Sequence, residues 1–255
     1  MEVHHHSHIP TSREKKWTHY LWEFFMLFLA VFCGFLAENQ REHFVEHRRE
    51  KKLMESLYED LKKDTADFIN DTIWWNGMIK LMDTIQMEIE KPGSERNLLL
   101  LYRKAGRMRS DNSFQYHDRT IQQLKNGGNF RLVRNRAIAD SLIDYDVYIL
   151  TALNKIEATS NAIYLQVNIM QDKIFNSKYF HLTPSNQPGF LLDSVFKVEP
   201  EVFDLSMVQK TDLMQYYNHL EFYRRISSYR VNAMKFFCRR AMTLIELLEK
   251  EYHLK

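Results

Sequence analysis

The sequence predicts an all-α protein in which an N-terminal transmembrane helix continues into an extramembrane helical bundle of three long and two short helices. The chain of 255 residues holds only 7 glycines and 5 prolines, and this scarcity favours long helices. Apolar residues also recur every seven positions over long stretches, which is a helical period. Finally, one continuous apolar run lies near the start of the chain.

That apolar run covers residues 20–37 and contains a single charged residue, Glu23. Its eighteen residues extend roughly 27 Å at ~1.5 Å per residue, enough to cross the hydrocarbon core of a bilayer. No other stretch approaches this length and apolarity. We therefore expect three parts: a short His-rich tail at 1–16, a transmembrane helix at 17–38 and a helical bundle domain at 39–255.

The charges on either side of the run bear on its orientation. Arg13, Lys15 and Lys16 precede it, whereas Arg41 is the only basic residue in the first ten after it. By the positive-inside rule, this predicts a cytoplasmic N-terminus and a periplasmic C-terminal domain in the inner membrane. A wider window that includes the basic residues at 48–52 gives the opposite orientation, so that alternative stays open.

The bundle begins with a long helix that we expect to end at Pro92-Gly93. Two short helices should follow at 94–108 and 116–125, and the Asn-Gly-Gly-Asn sequence at 126–129 is typical of a turn. The first helix carries an apolar seam with one residue in every seven: Met54, Leu61, Phe68, Trp75, Met82 and Ile89. Asp64 and Asp71 occupy partner positions beside this seam, which argues against a simple two-stranded coiled coil.

Two further long helices complete the prediction. The helix at 132–179 has a seam of Leu142, Ile149, Ile156, Ile163 and Met170. The helix at 211–251 has a stripe of Tyr216, Leu220, Tyr223, Met234, Phe237, Ala241, Leu244 and Leu248. Between them, 181–209 holds three of the five prolines and is expected to be an irregular crossover. The aromatic-rich stretch 216–229 should pack in the core, and any face left uncovered would form a groove for a partner helix.

Composition and motifs argue against several functional classes. Basic and acidic residues number 35 and 33, so there is no broad basic field for nucleic acid. The sequence has no glycine-rich phosphate loop, no G-x-S-x-G and no C-x-x-C, so we expect neither enzyme activity nor a cofactor. Asp140, Asp144 and Asp146 alternate with apolar residues and are expected to form a polar helix face.

One face of the transmembrane run has the features of a helix-packing surface. Glu23, Ala30 and Ala37 share a heptad position, and Gly34 lies beside them. Small residues let helices approach closely, and an ionisable side chain in a span usually faces protein or water. We interpret this face as a contact with a partner span, in which Glu23 is buried and able to take up a proton. The alternative is that Glu23 reaches the headgroups and has no function.

Two groups of histidines are weak candidates for metal binding. His4, His5, His6 and His8 are dense enough to bind zinc, nickel or copper, but also fit a solvated flexible tail. The second group, His43 and His47 with Glu46, matches the H-x-x-E-H signature of some zinc peptidases. It directly follows the span and lies among Glu and Arg residues, so a solvated helix with near-neighbour ion pairs is the favoured interpretation and no metal site is predicted.

Two segments resemble a group of uncharacterised bacterial membrane proteins with a single span. The first is KKWTHYLWEFFMLFLAVFCGFLAENQREH, running into KKLMESLYEDLKKD, and the second is TIQQLKNGGNFRLVRNRAIADSLIDYD at 120–146. In that group a short tail and one transmembrane helix precede an "ESL-x-x-DL" helix start and a helical extramembrane domain. The resemblance implies a membrane-anchored helical protein in the inner membrane of a Gram-negative cell, and it implies no activity.

Three functional hypotheses follow. The first is a non-enzymatic, membrane-anchored protein that presents its bundle for protein–protein interaction or assembly in the cell envelope. Its partners would be membrane lipid together with other proteins or a second copy, bound through the span and the bundle. The second is an accessory subunit of an ion-driven membrane complex that uses Glu23 as a titrating group. The third is an envelope sensor or ligand-binding bundle.

Overall fold

The computed structural model describes residues 17–109, 112, 114–182 and 205–254, and this part of the chain is all-α. Three helices are long, α1 (Trp17–Glu90), α4 (Arg136–Ile174) and α5 (Lys210–Tyr252), and two are short, α2 (Leu98–Arg107) and α3 (Arg119–Asn126). Three 3-10 turns complete it: Gly93–Glu95, Asn129–Leu132 and Ser177–Leu182. The predicted fold class, with three long and two short helices, is therefore confirmed. Most of the predicted crossover, residues 183–204, lies outside the described ranges.

The chain divides into two compact units, Met1–Lys51 and Lys52–Lys255. In the first unit, every residue from 20 to 37 is exposed within the chain, including the large side chains of Phe24, Phe28 and Phe32. Among the described helices, α1 alone is long and apolar enough to cross a membrane. A core helix of a soluble protein would instead be mostly buried.

The second unit contains the core, and its sequence-predicted seams are confirmed. All six seam residues of α1 from Met54 to Ile89 are buried, as are the five predicted for α4 and the eight predicted for α5. Phe175 at the end of α4 lies 5.8 Å from Tyr216 near the start of α5, between ring centroids. Near the other ends, the guanidinium of Arg240 lies 5.9 Å from the Tyr148 ring. The two helices are therefore antiparallel.

Asparagine caps fix the starts of two helices a few residues later than predicted. The Asn97 side chain accepts a hydrogen bond from the backbone N–H of Leu100, so α2 begins at residue 98. In the same way, Asn135 accepts from the N–H groups of Ala137 and Ile138 at the start of α4. The predicted turn at 126–129 is confirmed, and Gly128 there has φ of 60°, a left-handed conformation that suits glycine.

Candidate functional site

The four residues predicted for a membrane helix contact lie on one face of α1. Glu23, Ala30, Gly34 and Ala37 are all exposed within the chain. A Cβ added to Gly34 would meet no atom within 4 Å, so no described residue occupies this face at that point. The rings of Phe24, Phe28 and Phe32 stack on the opposite side of the helix, with centroids 6.5 and 5.9 Å apart. The span thus has one face of small residues and one of aromatic rings.

Glu23 has a neighbour that the sequence interpretation missed. The Oε1 atom of Glu23 lies 3.1 Å from Nε2 of His19, one helical turn earlier, and both side chains are more than half exposed. The four-residue spacing of His19 and Glu23 is the signal that would have revealed the pair. At this distance the imidazole and the carboxylate can hydrogen-bond, and a polar partner lowers the cost of placing the carboxylate near the membrane boundary.

The histidine candidates do not come together as a metal site in the part of the chain that the structure describes. His4, His5, His6 and His8 lie outside that part. His43 and His47 are exposed on α1, and no group of three potential ligands forms around them among the residues searched. Instead, His47 Nδ1 lies 3.3 Å from Glu50 Oε2. The expected near-neighbour ion pairs are present, since Arg41 also donates to Glu38 at 2.7 Å.

The second unit contains a buried polar network that sequence reasoning did not predict as a site. Three aspartates of α1, Asp60, Asp64 and Asp71, are almost completely buried. All three accept hydrogen bonds from the connection between α2 and α3 and from the start of α3: Asn112, His117, Arg119 and Thr120. Burying a carboxylate is costly unless donors surround it, and these donors tie the α2–α3 connection to α1.

Asp64 is the centre of this network. Its Oδ1 accepts from the backbone N–H of His117 at 2.9 Å and lies 3.1 Å from the His117 Nδ1. The hydroxyl of Tyr145 on α4 donates to its Oδ2 at 3.0 Å. Burial nevertheless dominates and raises the pKa of Asp64 to about 6, because these bonds only partly replace lost water. This carboxyl therefore titrates close to physiological pH.

The prediction for the aspartates of α4 was wrong at one position. Asp140 and Asp144 are exposed, as expected for a polar face, but Asp146 is fully buried. Its carboxylate accepts from the hydroxyl of Tyr116 at 3.1 Å and pairs with the ammonium of Lys125 at the end of α3. Alternation with apolar residues suggested an exposed side chain, but α3 packs over this turn of α4 and supplies a lysine.

A buried ion pair joins α1 to α5 in the same region. Arg230 donates through Nε to Asp71 at 3.2 Å, and both side chains are almost completely buried. The guanidinium also lies 4.7 Å from the centre of the Trp75 ring, a cation–π contact. Asn112 donates a further hydrogen bond to Asp71 at 2.9 Å. Despite these partners, burial raises the pKa of Asp71.

Taken together, the network joins α1 to α4, to α5 and to the segment that contains α3. Each of the four buried aspartates accepts at least two hydrogen bonds or ion pairs from within the chain. The signal for Asp64 and Asp71 was in the sequence, because they share a seven-residue column with the buried Leu57, Met78 and Ile85.

No known family, curated protein or solved structure matches the chain.

Proposed function

We propose that this chain is a non-enzymatic, single-pass membrane protein that presents its helical bundle for protein–protein interaction or assembly in the cell envelope. One observation carries the proposal: the apolar run of α1 is entirely exposed within the chain. Soluble proteins rarely expose so large a contiguous apolar surface, and a bilayer would cover it. The resemblance of about the first 70 residues to single-span bacterial membrane proteins supports the membrane anchor.

The polar network of the bundle supports a non-enzymatic role. Catalytic acids and bases need at least one face open to a substrate. Asp60, Asp64 and Asp146 are instead buried and already bonded to the chain's own donors. Asp71 is also buried and bonded, and it lines a small pocket of about 210 Å³. Their arrangement is that of a scaffold that fixes the connection between α2 and α3.

Carbonate extraction tests the anchor. The full chain, expressed in a Gram-negative host, should stay in the membrane pellet after an alkaline carbonate wash. A variant with Phe24→Lys, Phe28→Lys and Phe32→Lys should move to the supernatant, because each lysine costs about 3 kcal/mol at the centre of a span. A wild-type protein in the supernatant, or one whose intact mass shows that the run has been cleaved off, would overturn the proposal.

We further propose that the N-terminus is cytoplasmic and the bundle periplasmic. The basic residues that directly precede the span support this orientation. The exposed Ser177 offers a reporter: Ser177→Cys in a Cys33→Ser, Cys238→Ser background should react with a membrane-impermeant maleimide in intact spheroplasts. Labelling that occurs only after lysis would show the opposite orientation, with the bundle in the cytoplasm.

The small-residue face of the span is the proposed site of contact with another span or a second copy. Gly34→Leu would place a bulky side chain on an open face and keep the helices apart. In native membranes, we expect this variant to lose a crosslinked complex that wild type forms. Leu36→Phe is the matched control, because it adds bulk two residues from Gly34 and therefore on the opposite side of the helix. Equal complex size in wild type and Gly34→Leu would exclude this face as the contact.

A second candidate function, an accessory subunit of an ion-driven complex, rests on the pair formed by His19 and Glu23. Within a span, an ionisable carboxylate with a polar partner is a usual component of a proton pathway. Glu23→Gln separates the two candidates. The subunit hypothesis expects normal assembly with loss of the cellular activity, whereas the interaction hypothesis expects any effect to appear in assembly itself.

A further inference from the structure

An apolar groove lies on the outside of the bundle between α4 and α5. It encloses about 330 Å³ and most of its surface is apolar. Tyr148 and Ala152 form the α4 side, while Tyr229, Ala233 and Phe236 form the α5 side. The Tyr148 and Tyr229 side chains remain 52% and 56% exposed, which is high for aromatic residues that line a groove.

The α5 side of the groove belongs to a longer aromatic stripe. Phe222, Tyr229 and Phe236 follow one another at intervals of seven, and all three are exposed. Seven residues are close to two helical turns, so the three rings lie in a line of about 21 Å on one face of α5. This line is distinct from the buried stripe of α5, which faces the core. A line of apolar residues at this spacing is the usual surface against which a second helix packs.

The groove is bordered by positive charge on the α5 side. Residues 222–245 contain six basic residues and no acidic one. Arg230 is buried against Asp71, and Glu221 bonds to Arg224 and Arg225. After these pairs are subtracted, Lys235, Arg239 and Arg240 still leave residues 222–245 with a net positive charge.

Part of that charge lies directly on the groove. The guanidinium of Arg240 is 5.3 Å from the Phe236 ring and 5.9 Å from the Tyr148 ring. Lys235 and Arg239 are exposed on the same helix, within five residues of Arg240. On α4, Asp144 and Lys155 share a face with Tyr148 and offset each other. The edge of the groove is therefore net basic.

We propose that the groove between α4 and α5 docks an amphipathic helix of a partner protein, with an apolar stripe against the aromatic line and acidic residues along its flanks. The charge favours such a partner over a second copy of this chain, because two copies of the same basic face would repel each other. This inference rests on the proposed interaction function and names the chemistry of the partner.

Synthetic peptides test the proposal on the full chain in nanodiscs of zwitterionic lipid. Two labelled helices of about 18 residues would share one leucine stripe and differ only in their flanks, glutamate in one and lysine in the other. Fluorescence anisotropy, with empty nanodiscs subtracted, measures binding to each. We expect saturable binding of the acidic helix, at least roughly tenfold tighter than that of the basic helix and weakened by salt.

Variants locate the binding. Tyr229→Asp should weaken binding of the acidic helix by roughly tenfold or more, because it places a charge at the middle of the apolar line. Ile73→Asp, an equally exposed apolar position on α1, should leave binding unchanged. The double variant Arg239→Glu, Arg240→Glu should reverse the preference toward the basic helix. Circular dichroism of each variant would verify that its helix content is intact.

Several results would overturn the docking proposal. The first is a Kd for the acidic helix no tighter than about 1 mM, and the second is equal binding of the two helices. The third is an effect of Ile73→Asp as large as that of Tyr229→Asp. The fourth is displacement of the acidic helix by a single-stranded oligonucleotide that binds the chain more tightly than the helix does. Each of these results is compatible with a chain that stays in the membrane and forms crosslinks at other surfaces. Failure of this inference is thus distinguishable from failure of the proposed function.

Discussion

At the scale of single residues, the most informative positions are carboxylates in places where the sequence pattern calls for apolar side chains. Asp64 and Asp71 continue a column of buried apolar residues on α1, and each is almost fully buried. A buried carboxylate persists only where the fold supplies donors, and here the donors come from other elements of the chain. The spacing of the aspartates was readable from the sequence, but the identity of their partners was not.

Asp64 should make stability depend on pH in a definite direction. Its pKa is about 6 in the folded protein and its ordinary value is 3.8. Between about pH 4 and pH 6, the unfolded chain ionises while the folded chain keeps the proton, so rising pH favours unfolding. Two pKa units at ~1.4 kcal/mol each amount to roughly 3 kcal/mol of stability lost over this range.

The measurement is chemical unfolding of the full chain in detergent micelles, followed by circular dichroism across that pH range. Asp64→Asn should remove this slope, because the amide does not titrate. Glu59→Gln is the control: Glu59 lies on the same helix, outside the Asp64 network, and its side chain is 57% exposed. If wild type and Asp64→Asn had parallel pH profiles, burial of this carboxyl would not govern its titration.

At the scale of elements, the sequence predicted the helices well and their ends less well. The seven-residue seams identified the three long helices, because the spacing that predicts an amphipathic helix is local in sequence. The start of α4 moved from 132 to 136 because the cap is Asn135, and an asparagine cap is a weaker signal than a seam. The burial of Asp146 was missed because it depends on α3, which is distant in sequence.

The start of α3 shows why neighbouring residues alone do not predict how a helix end is capped. Asp118 occupies the cap position by sequence, yet its side chain makes no capping bond. Asp60 on α1 does this instead: it accepts from the backbone N–H of Thr120 at 3.2 Å and from the Thr120 hydroxyl at 2.6 Å. A side chain sixty residues away thus satisfies a donor that the first turn of α3 leaves free.

Substitution at these two aspartates distinguishes the local cap from the distant one. Asp60→Ala should lower the free energy of unfolding by about 2 kcal/mol, because it leaves the buried N–H and hydroxyl of Thr120 without an acceptor. Asp118→Ala should change it by less than about 0.5 kcal/mol. Denaturant unfolding of the two variants gives both values. If Asp118→Ala lost more free energy of unfolding than Asp60→Ala, Asp118 and not Asp60 would be the residue that caps α3.

At the scale of the bundle as a whole, the core of the second unit consists of two apolar clusters. One contains Phe68 and the first half of α4, and the other contains Trp75 and the second half of α4. On α1, Asp71 lies between Phe68 and Trp75, and its partner Arg230 comes from α5. The ion pair therefore lies where the two clusters meet and fixes α5 against α1 at one register. A sequence pattern shows each charge, but only the fold pairs them.

Breaking this pair from one side should be costly. Arg230→Met removes the guanidinium and leaves the carboxylate of Asp71 buried without its main partner, at a cost of about 3–5 kcal/mol. The double variant Asp71→Leu, Arg230→Met removes both charges from the apolar surroundings. It should recover most of that loss, although the hydrogen bond from Asn112 to Asp71 is also removed.

The pH dependence of the single variant identifies the cause. Burial already raises the pKa of Asp71 in the intact pair, and loss of Arg230 should raise it further, since the opposite charge no longer favours ionisation. Protonation in the folded state then relieves the buried charge, so the deficit of Arg230→Met should shrink as the pH falls and grow as it rises. A deficit that is independent of pH, together with a double variant no more stable than the single one, would mean that Arg230 acts through packing on Trp75 and not through its charge.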